Sequence, residues 1–290
     1  MIASMRRQAC IPLLLFLVAL QGGEIASDGV RLYYDDRGRG ESVVLIHGFS
    51  LNSRMWDRQH ALAKKYRLII PDMRLHGRSP ITVDTKYSLA VSAGDIRALL
   101  DHLKIRDAHI VGMSMGGTFA IEVALRHPER VRSLTLVAAG IEGVPPSKEM
   151  MERFMKGIEL YKTQGAAAFR DFWIELPLFA PLNSRPNDRR WIEEMMGSFQ
   201  FDTFLAMSSK PLPQSPVPQI KRLNEIKQPT LILIGTSDAT HIQQASETAA
   251  REIPGARRIV YEGTGHLLNM EEPEKFNRDL DAFLSALPKR

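Results

Sequence analysis

The sequence feature that most constrains the fold is a serine in a glycine-rich turn, G-M-S-M-G-G at 112–117. A short apolar run at 108–111 precedes this turn and helix-forming residues at 118–125 follow it. The pattern predicts a strand, a sharp turn and a helix, with Ser114 at the apex. Glycines two residues before and after the serine suit a strained backbone with no room for side chains. The backbone N–H of Met115 would then lie at the start of the helix, where it can bind a developing oxyanion.

The turn by itself leaves a non-catalytic role open, because G-x-S-x-G also occurs by chance in glycine-rich loops. The strand before it, the helix after it and the further glycine Gly117 favour a catalytic serine. Such a serine also requires a base and a carboxylate from elsewhere in the chain.

Composition indicates a globular protein with one large core and an insertion. The 290 residues are 44% hydrophobic and 24% charged, which is ordinary for such proteins. The net charge of +5 comes partly from Arg6 and Arg7, and the other basic residues are scattered, so we expect no nucleic-acid partner. Cys10 is the only cysteine and no H-E-x-x-H motif occurs, so we expect no internal disulfide, no metal and no cofactor. Nothing in the sequence indicates an oligomeric state.

Residues 1–23 have the pattern of a secretory signal peptide. Arg6 and Arg7 supply a positive start, and an apolar run at 11–20 follows that is too short to span a bilayer. We expect cleavage within 21–27 and export to the periplasm or the exterior, with no stable membrane association afterwards. The alternatives are an uncleaved anchor and a mis-assigned start codon, the latter leaving a cytoplasmic protein.

Strand and helix patterns alternate over residues 24–140 and 224–290. Such alternation predicts a parallel sheet with right-handed crossovers and with functional groups at the carboxyl ends of its strands. One buried strand, 42–46, ends at the tripeptide H-G-F at 47–49, and a glycine there suits a backbone that approaches a ligand closely. The N–H of Phe49 is therefore the predicted second oxyanion donor.

Residues 141–223 interrupt this alternation with helical runs rich in proline, methionine and aromatic residues. We interpret the segment as a helical cap inserted between two strands, where it would cover the site. Most of its apolar residues should form the packing core of the cap itself. A few should face Ser114. The predicted substrate-pocket residues are Trp173, Phe179, Met207 and, beside the candidate base, Leu267.

The polar loop D-M-R-L-H-G-R-S follows another buried strand and has the composition of an active-site loop. We expect Asp72, Arg74 and His76 instead to hold one another and the loop in place. The apolar spacing after this loop predicts a helix that begins near Ala93. Asp95 would then lie in the first turn, beside the helix N-terminus.

Two later loops each carry one side chain that a serine nucleophile requires. A serine hydroxyl is a weak nucleophile near neutral pH, and it needs a base that is oriented by a carboxylate. Asp238 and His266 each follow a predicted strand, so the order along the chain is serine, acid, base. We predict a catalytic triad of Ser114, Asp238 and His266, with Glu142 as the alternative acid.

Together these motifs resemble the α/β-hydrolase superfamily over residues 24–287. The matching pieces are H-G-F, D-M-R-L-H-G-R-S, the serine turn, G-T-S-D at 235–238 and G-T-G-H at 263–266. Leu75 departs from the pattern, because family members commonly carry glycine there, and this leaves the backbone of the polar loop open. The resemblance implies a mostly parallel eight-stranded sheet flanked by helices, with an inserted helical cap.

The serine separates this chain from haloalkane dehalogenases and epoxide hydrolases, which carry aspartate at the turn. The chain resembles small cap-bearing esterases and enol-lactonases, with C–C bond hydrolases and cofactor-free perhydrolases nearby. The resemblance implies that Ser114 attacks a small, largely apolar ester or lactone, that the N–H groups of Phe49 and Met115 bind the oxyanion, and that water deacylates the serine. The alternative of a different class is a ligand-binding receptor that keeps the fold, and an intact triad argues against it.

Overall fold

The computed structural model describes residues 21–208 and 215–289. Eight strands form one sheet. In chain order they are β1 Gln21–Ser27, β2 Val30–Gly38, β3 Glu41–Ile46, β4 Tyr66–Pro71, β5 Ala108–Met113, β6 Val131–Val137, β7 Thr230–Gly235 and β8 Arg257–Tyr261. The spatial order is β1-β2-β4-β3-β5-β6-β7-β8; β2 runs antiparallel to β1 and β4, and the other neighbours are parallel. The prediction of a mostly parallel eight-stranded sheet is confirmed.

Helices cover this sheet and form an insert between β6 and β7. In chain order they are α1 Leu89–His102, α2 Met115–Arg126, α3 Lys148–Gln164, α4 Ala166–Ile174, α5 Ala180–Asn183, α6 Pro186–Met196, α7 Phe201–Ser208, α8 Thr240–Glu252, α9 Leu268–Glu271 and α10 Pro273–Ser285. Every residue of β5 and β7 is buried, because the inner strands of a parallel sheet are covered by helices on both faces. No helix in the described ranges combines the length and apolar character needed to cross a membrane.

The predicted signal peptide lies mostly outside the described residues. Its last residues and those that follow form β1, which pairs antiparallel with β2 from Gln21 opposite Asp36 to Ser27 opposite Val30. Strand β1 is a polar edge strand with two glycines, so the sequence pattern does not predict it.

Helix α1 begins at Leu89 and not near Ala93. Ser88 is its N-cap, and the Ser88 side chain accepts a hydrogen bond from the N–H of Val91. Asp95 therefore lies in the middle of the helix, and the prediction of a first-turn position was wrong. Its buried carboxylate accepts hydrogen bonds from Nε and Nη2 of the Arg74 guanidinium, at 2.6 and 2.8 Å. This pair ties the polar loop to the middle of α1.

The insert α3 to α7 is a helical cap with an aromatic interior. Phe169 stacks on Trp173 with ring centroids 5.4 Å apart. Hydrogen bonds join the cap to the core. Gln200 of the cap donates its backbone N–H to the carbonyl of Leu75 at 3.0 Å. The Gln200 side chain also bonds both the N–H and the carbonyl of Ile81. The end of α6 and the start of α7 are therefore tied to the loop that follows β4.

Candidate active site

Ser114 lies at the sharp turn between β5 and α2. Its φ of 53° and ψ of −116° lie outside the regions that non-glycine residues prefer, so the turn is strained. Hydrogen bonds hold it in place, since the Ser114 carbonyl accepts from Gly117 N at 2.9 Å and from Gly140 N at 3.0 Å. A Cβ on Gly116 would lie 2.6 Å from the carbonyl oxygen of His47, so the backbone here approaches too closely for any side chain.

Asp238 and His266 meet in the loops that follow β7 and β8. The Nδ1–H of His266 donates to the Asp238 carboxylate, with distances of 3.0 and 2.9 Å to its two oxygens. Because Nδ1 carries this proton, Nε2 keeps the lone pair that a general base needs. Burial lowers the pKa of His266, but the charge and hydrogen bond of Asp238 and the charge of Glu271 outweigh burial, so the pKa lies above the ordinary 6.5. The surroundings thus favour an imidazolium.

Ser114 and His266 line the same cavity, which has a volume of about 60 Å³. The structure therefore brings the three residues of the predicted triad together. Asp238 and His266 are joined by a hydrogen bond, and His266 and Ser114 line the same cavity. The other walls carry no charged group. They are Gly48, Phe49, Leu51, Met113, Trp173, Leu178, Phe179 and Leu267.

Three of the four predicted pocket residues lie on these walls: Trp173, Phe179 and Leu267. Met207 is not among the residues that line this cavity; it is buried in the last turn of α7, and its place in the substrate pocket stays a prediction. The cap reaches the cavity instead through α4 and the 3₁₀ turn just before α5. That turn also supplies Leu178, which no sequence pattern singles out.

The loop after β3 passes directly beside the serine. A Cβ on Gly48 would lie 3.6 Å from the Cβ of Ser114, so the candidate oxyanion donor Phe49 follows a backbone segment in close contact with the turn. The Phe49 ring points into the cap. It contacts three aromatic rings there at centroid distances of 4.9 to 5.7 Å: Trp173, Phe199 and Phe204.

Comparison with known proteins agrees with the fold. A family model described as alpha/beta hydrolase fold matches residues 41–273. The chain belongs to this α/β-hydrolase family. The hydrolase is 31% identical to the 2-hydroxymuconate semialdehyde hydrolase of Pseudomonas putida, with 91% of this chain and 94% of that protein covered.

Two solved structures extend the comparison. The hydrolase is similar to a thermophilic esterase from Thermogutta terrifontis, with a TM-score of 0.76, 28% identity, and coverage of 91% of this chain and 98% of that one. It is also similar to the enol-lactonase from Burkholderia xenovorans LB400, with a TM-score of 0.76, 25% identity, and coverage of 91% and 100%. Its relatives therefore include more than one kind of hydrolase.

Two other buried histidines of the hydrolase support the loops around the serine. Nε2 of His47 accepts a hydrogen bond from Met73 N at 2.9 Å, and Nε2 of His76 accepts one from Ser50 N at 3.1 Å. Burial lowers the pKa of both imidazoles, so both remain neutral and able to accept. Within residues 21–208 and 215–289, no group of three or more histidine, cysteine or acidic residues is placed to hold a metal ion.

The polar loop of the hydrolase has the structural role that the sequence suggests. The Asp72 carboxylate accepts hydrogen bonds from Ser53 N at 2.7 Å and Arg78 N at 2.9 Å. His76 donates from Nδ1 to the carbonyl of Arg74 at 2.8 Å, but the Arg74 guanidinium itself binds Asp95 on α1. The three predicted residues thus hold the loop chiefly through partners outside their own group.

Leu75 has a positive φ, a backbone conformation that favours glycine. Its φ is +76°, in the left-handed region, which costs a residue with a Cβ about 1–2 kcal/mol. The Leu75 side chain is buried and its carbonyl is bound by Gln200 of the cap. Contacts of both its side chain and its backbone therefore hold Leu75 in this conformation.

Glu142 lies where the cap returns to the core, away from the imidazole. Its carboxylate accepts a hydrogen bond from Gln219 N at 3.3 Å, and the Gln219 side chain donates to the carbonyl of Thr118 on α2 at 2.9 Å. Glu142 therefore anchors the cap to the helix that follows the serine. The carboxylate that meets His266 is that of Asp238.

A second cavity, of about 190 Å³, lies on the other side of the 3₁₀ turn from the serine. It is bordered by Asp238, the start of α8 and the start of α3. Leu178 lines both cavities. The rim of the second cavity is more polar, with Ser147 and the ion pair of Arg153 with Glu149.

Proposed function

We propose that this hydrolase cleaves a small, largely apolar carboxylic ester or lactone through an acyl-enzyme on Ser114. One observation carries the proposal. The hydroxyl-bearing turn and an imidazole already bound to a carboxylate open on one cavity whose other walls are uncharged. The similarity to an esterase and an enol-lactonase supports the same chemistry.

In the proposed reaction, Nε2 of His266 takes the hydroxyl proton of Ser114 as Oγ attacks the carbonyl carbon. The oxygen becomes negative and accepts hydrogen bonds from the N–H groups of Phe49 and Met115. Collapse breaks the bond to the alcohol oxygen, which leaves with the proton from His266. Water then attacks the acyl group by the same route. Asp238 holds the imidazole and stabilises its cationic form throughout.

The proposed preference for small apolar substrates rests on the cavity. Its volume of about 60 Å³ is well below the roughly 300–1,000 Å³ of typical small-molecule sites. A short acyl chain fits beside Ser114, and larger groups require Leu178 or the cap to move. Polar groups on the acyl chain would find no charged partner on these walls.

The test is covalent labelling with a fluorophosphonate probe combined with hydrolysis of an activated acetate ester. We expect Ser114→Ala to abolish labelling and to leave only the roughly 10³–10⁴-fold residual catalysis that binding and oxyanion contacts provide. Ser184→Ala on the exposed surface of the cap is the matched control and should label normally. Labelling of the Ser114→Ala protein would refute the proposal. Folded wild-type protein that does not label would favour a ligand-binding receptor.

C–C bond hydrolysis is the second candidate, because the Pseudomonas putida relative at 31% identity is a hydrolase of 2-hydroxymuconate semialdehyde. Cofactor-free perhydrolase chemistry on the same serine is a further alternative. Parallel assays with short esters, lactones and 2-hydroxymuconate semialdehyde distinguish these activities. Turnover of the semialdehyde above that of every ester would reverse the order of the candidates.

We also propose that the protein is exported after removal of an N-terminal signal segment. The pairing of β1 with β2 favours cleavage before Gln21, because a later cut would remove part of the edge strand. Mass spectrometry of the mature N-terminus tests this. An intact N-terminus in the cytoplasmic fraction would contradict it.

A further inference from the structure

The carboxylate of Glu271 lies directly behind the loop that carries His266. Glu271 is the last residue of α9 and only 7% exposed. Its Oε2 accepts a hydrogen bond from Gly265 N at 2.7 Å, and its Oε1 accepts one from Leu267 N at 3.0 Å. These are the two peptide N–H groups on either side of His266. One carboxylate thus holds both ends of the peptide segment that presents the imidazole.

The fit between this carboxylate and the loop is close. A Cβ on Gly265 would lie 3.0 and 3.3 Å from the two oxygens of Glu271 and 3.2 Å from Cγ of Pro181. Glycine at this position therefore lets the carboxylate pack against the backbone without an intervening side chain. A bidentate acceptor in such a space restricts the loop to one position, and with it the direction of the imidazole.

Burying a carboxylate costs free energy, and buried carboxylates are usually paired with a lysine or an arginine. No lysine or arginine in the described ranges lies within ion-pair distance of Glu271. Burial raises the pKa of Glu271, and the two peptide N–H groups and His266 lower it in part. Arg58, Arg185 and Glu274 border the same opening at the surface, but Arg58 is bound to Asp188. The group that faces Glu271 from the interior is the imidazole.

His266 therefore lies among three titratable groups from three elements. Asp238 faces it from the loop after β7, Glu271 from α9, and His241 from α8. Burial lowers the pKa of His241, which makes this neighbour neutral at the working pH. Both carboxylates raise the pKa of His266 against the effect of burial, Asp238 by its charge and direct hydrogen bond and Glu271 by its charge.

We propose that Glu271 is a positioning residue of the reaction, which fixes the His266 loop with one bidentate contact and uses its charge to support the imidazolium. This inference rests on the proposed function. It assigns two effects to Glu271. The length of the Glu271 side chain lets its carboxylate hold the loop, which sets how well Nε2 of His266 meets the serine hydroxyl. The negative charge of Glu271 affects the pH at which His266 takes up a proton.

The experiment measures kcat/KM for an activated acetate ester across the neutral pH range in three variants. Glu271→Gln keeps the length of the side chain but removes the charge, and its amide offers one acceptor oxygen where the carboxylate offers two, so one loop N–H loses its partner and the plateau falls as well. We expect the acid limb of its profile to move to lower pH by about one unit, because a nearby negative charge no longer favours the imidazolium. Glu271→Asp keeps the charge but is one methylene too short to reach both N–H groups. We expect its acid limb to stay near that of the wild type, while the plateau at high pH falls by about tenfold to a hundredfold.

Glu274→Gln is the matched control, since Glu274 borders the same opening but contacts neither Gly265 nor Leu267. It should leave both the plateau and the acid limb unchanged. An acid limb at the wild-type position in a folded Glu271→Gln protein would overturn the proposal, because a purely structural residue lowers the plateau without moving the limb. Fluorophosphonate labelling of the wild type keeps this failure distinct from failure of the proposed function, since labelling depends on Ser114 and not on Glu271.

Discussion

Gly235, the last residue of β7, packs against the loop that carries the candidate base. A Cβ at this position would lie 2.5 Å from the carbonyl oxygen of Gly265 and closer still to that of Thr264. Unstrained contacts of a carbon atom begin at about 3.5 Å, and both obstacles are backbone atoms that cannot rotate away. Gly235→Ala must therefore displace the loop, and His266 with it, by about 1 Å.

A displacement of this size acts directly on the site. The hydrogen bond between His266 and Asp238 spans 2.9 Å. Asp238 follows Gly235 by three residues and stays with the strand, whereas His266 moves with the displaced loop. A misplacement of 1 Å in a catalytic group costs about 10²-fold in rate. Overpacking of this kind also destabilises the fold by about 1–3 kcal/mol, and we expect the melting temperature to fall by several degrees. The assays are kcat/KM for an activated acetate ester and thermal unfolding.

Gly94→Ala in α1 is the matched control, because a Cβ there meets no atom within 4 Å. Replacing a helical glycine with alanine should stabilise the protein by about 0.5–1 kcal/mol and leave the rate unchanged. A Gly235→Ala protein with both the rate and the melting temperature of the wild type would refute the steric reasoning.

Two further predictions concern the pH profile and chain length. Since the pKa of His266 lies above 6.5, we expect the wild-type kcat/KM to fall as the pH drops through that pKa, because a protonated imidazole cannot accept the serine proton; a midpoint below 6.5 in the measured profile would contradict this. Leu178→Ala should join the two cavities and raise kcat/KM for hexanoate relative to acetate esters, by up to about fourfold for each methylene newly buried, whereas Leu160→Ala on α3 should not. An unchanged ratio for Leu178→Ala would show that longer chains bind elsewhere.

The sequence predicts the parts of the fold whose chemistry is local. Strands β5 and β7 are fully buried and largely apolar, and the loops after them carry Ser114 and Asp238 in a recognisable order. Strand β1 is different, because its polar residues become a strand only by pairing with β2. The start of α1 was predicted wrongly for a related reason, because the N-cap is Ser88, and the apolar spacing does not show a cap.

The walls of the cavity could be predicted only in part. Trp173 and Phe179 line the cavity beside the serine, but Met207, which has the same apolar character, is not on these walls. Which face of a cap helix meets the core depends on how the helices pack against Phe49, and no single helix encodes that. Glu271 was missed because its role depends on two peptide N–H groups, which every residue except proline has.

Phe49 links two properties that an engineer would want to vary separately. Its side chain packs against aromatic residues of the cap, while its backbone N–H is the proposed donor to the oxyanion. Replacing cap residues to admit bulkier substrates will therefore also shift that donor. Broader specificity in this scaffold should come at the expense of turnover unless Phe49 is given a new set of neighbours at the same time.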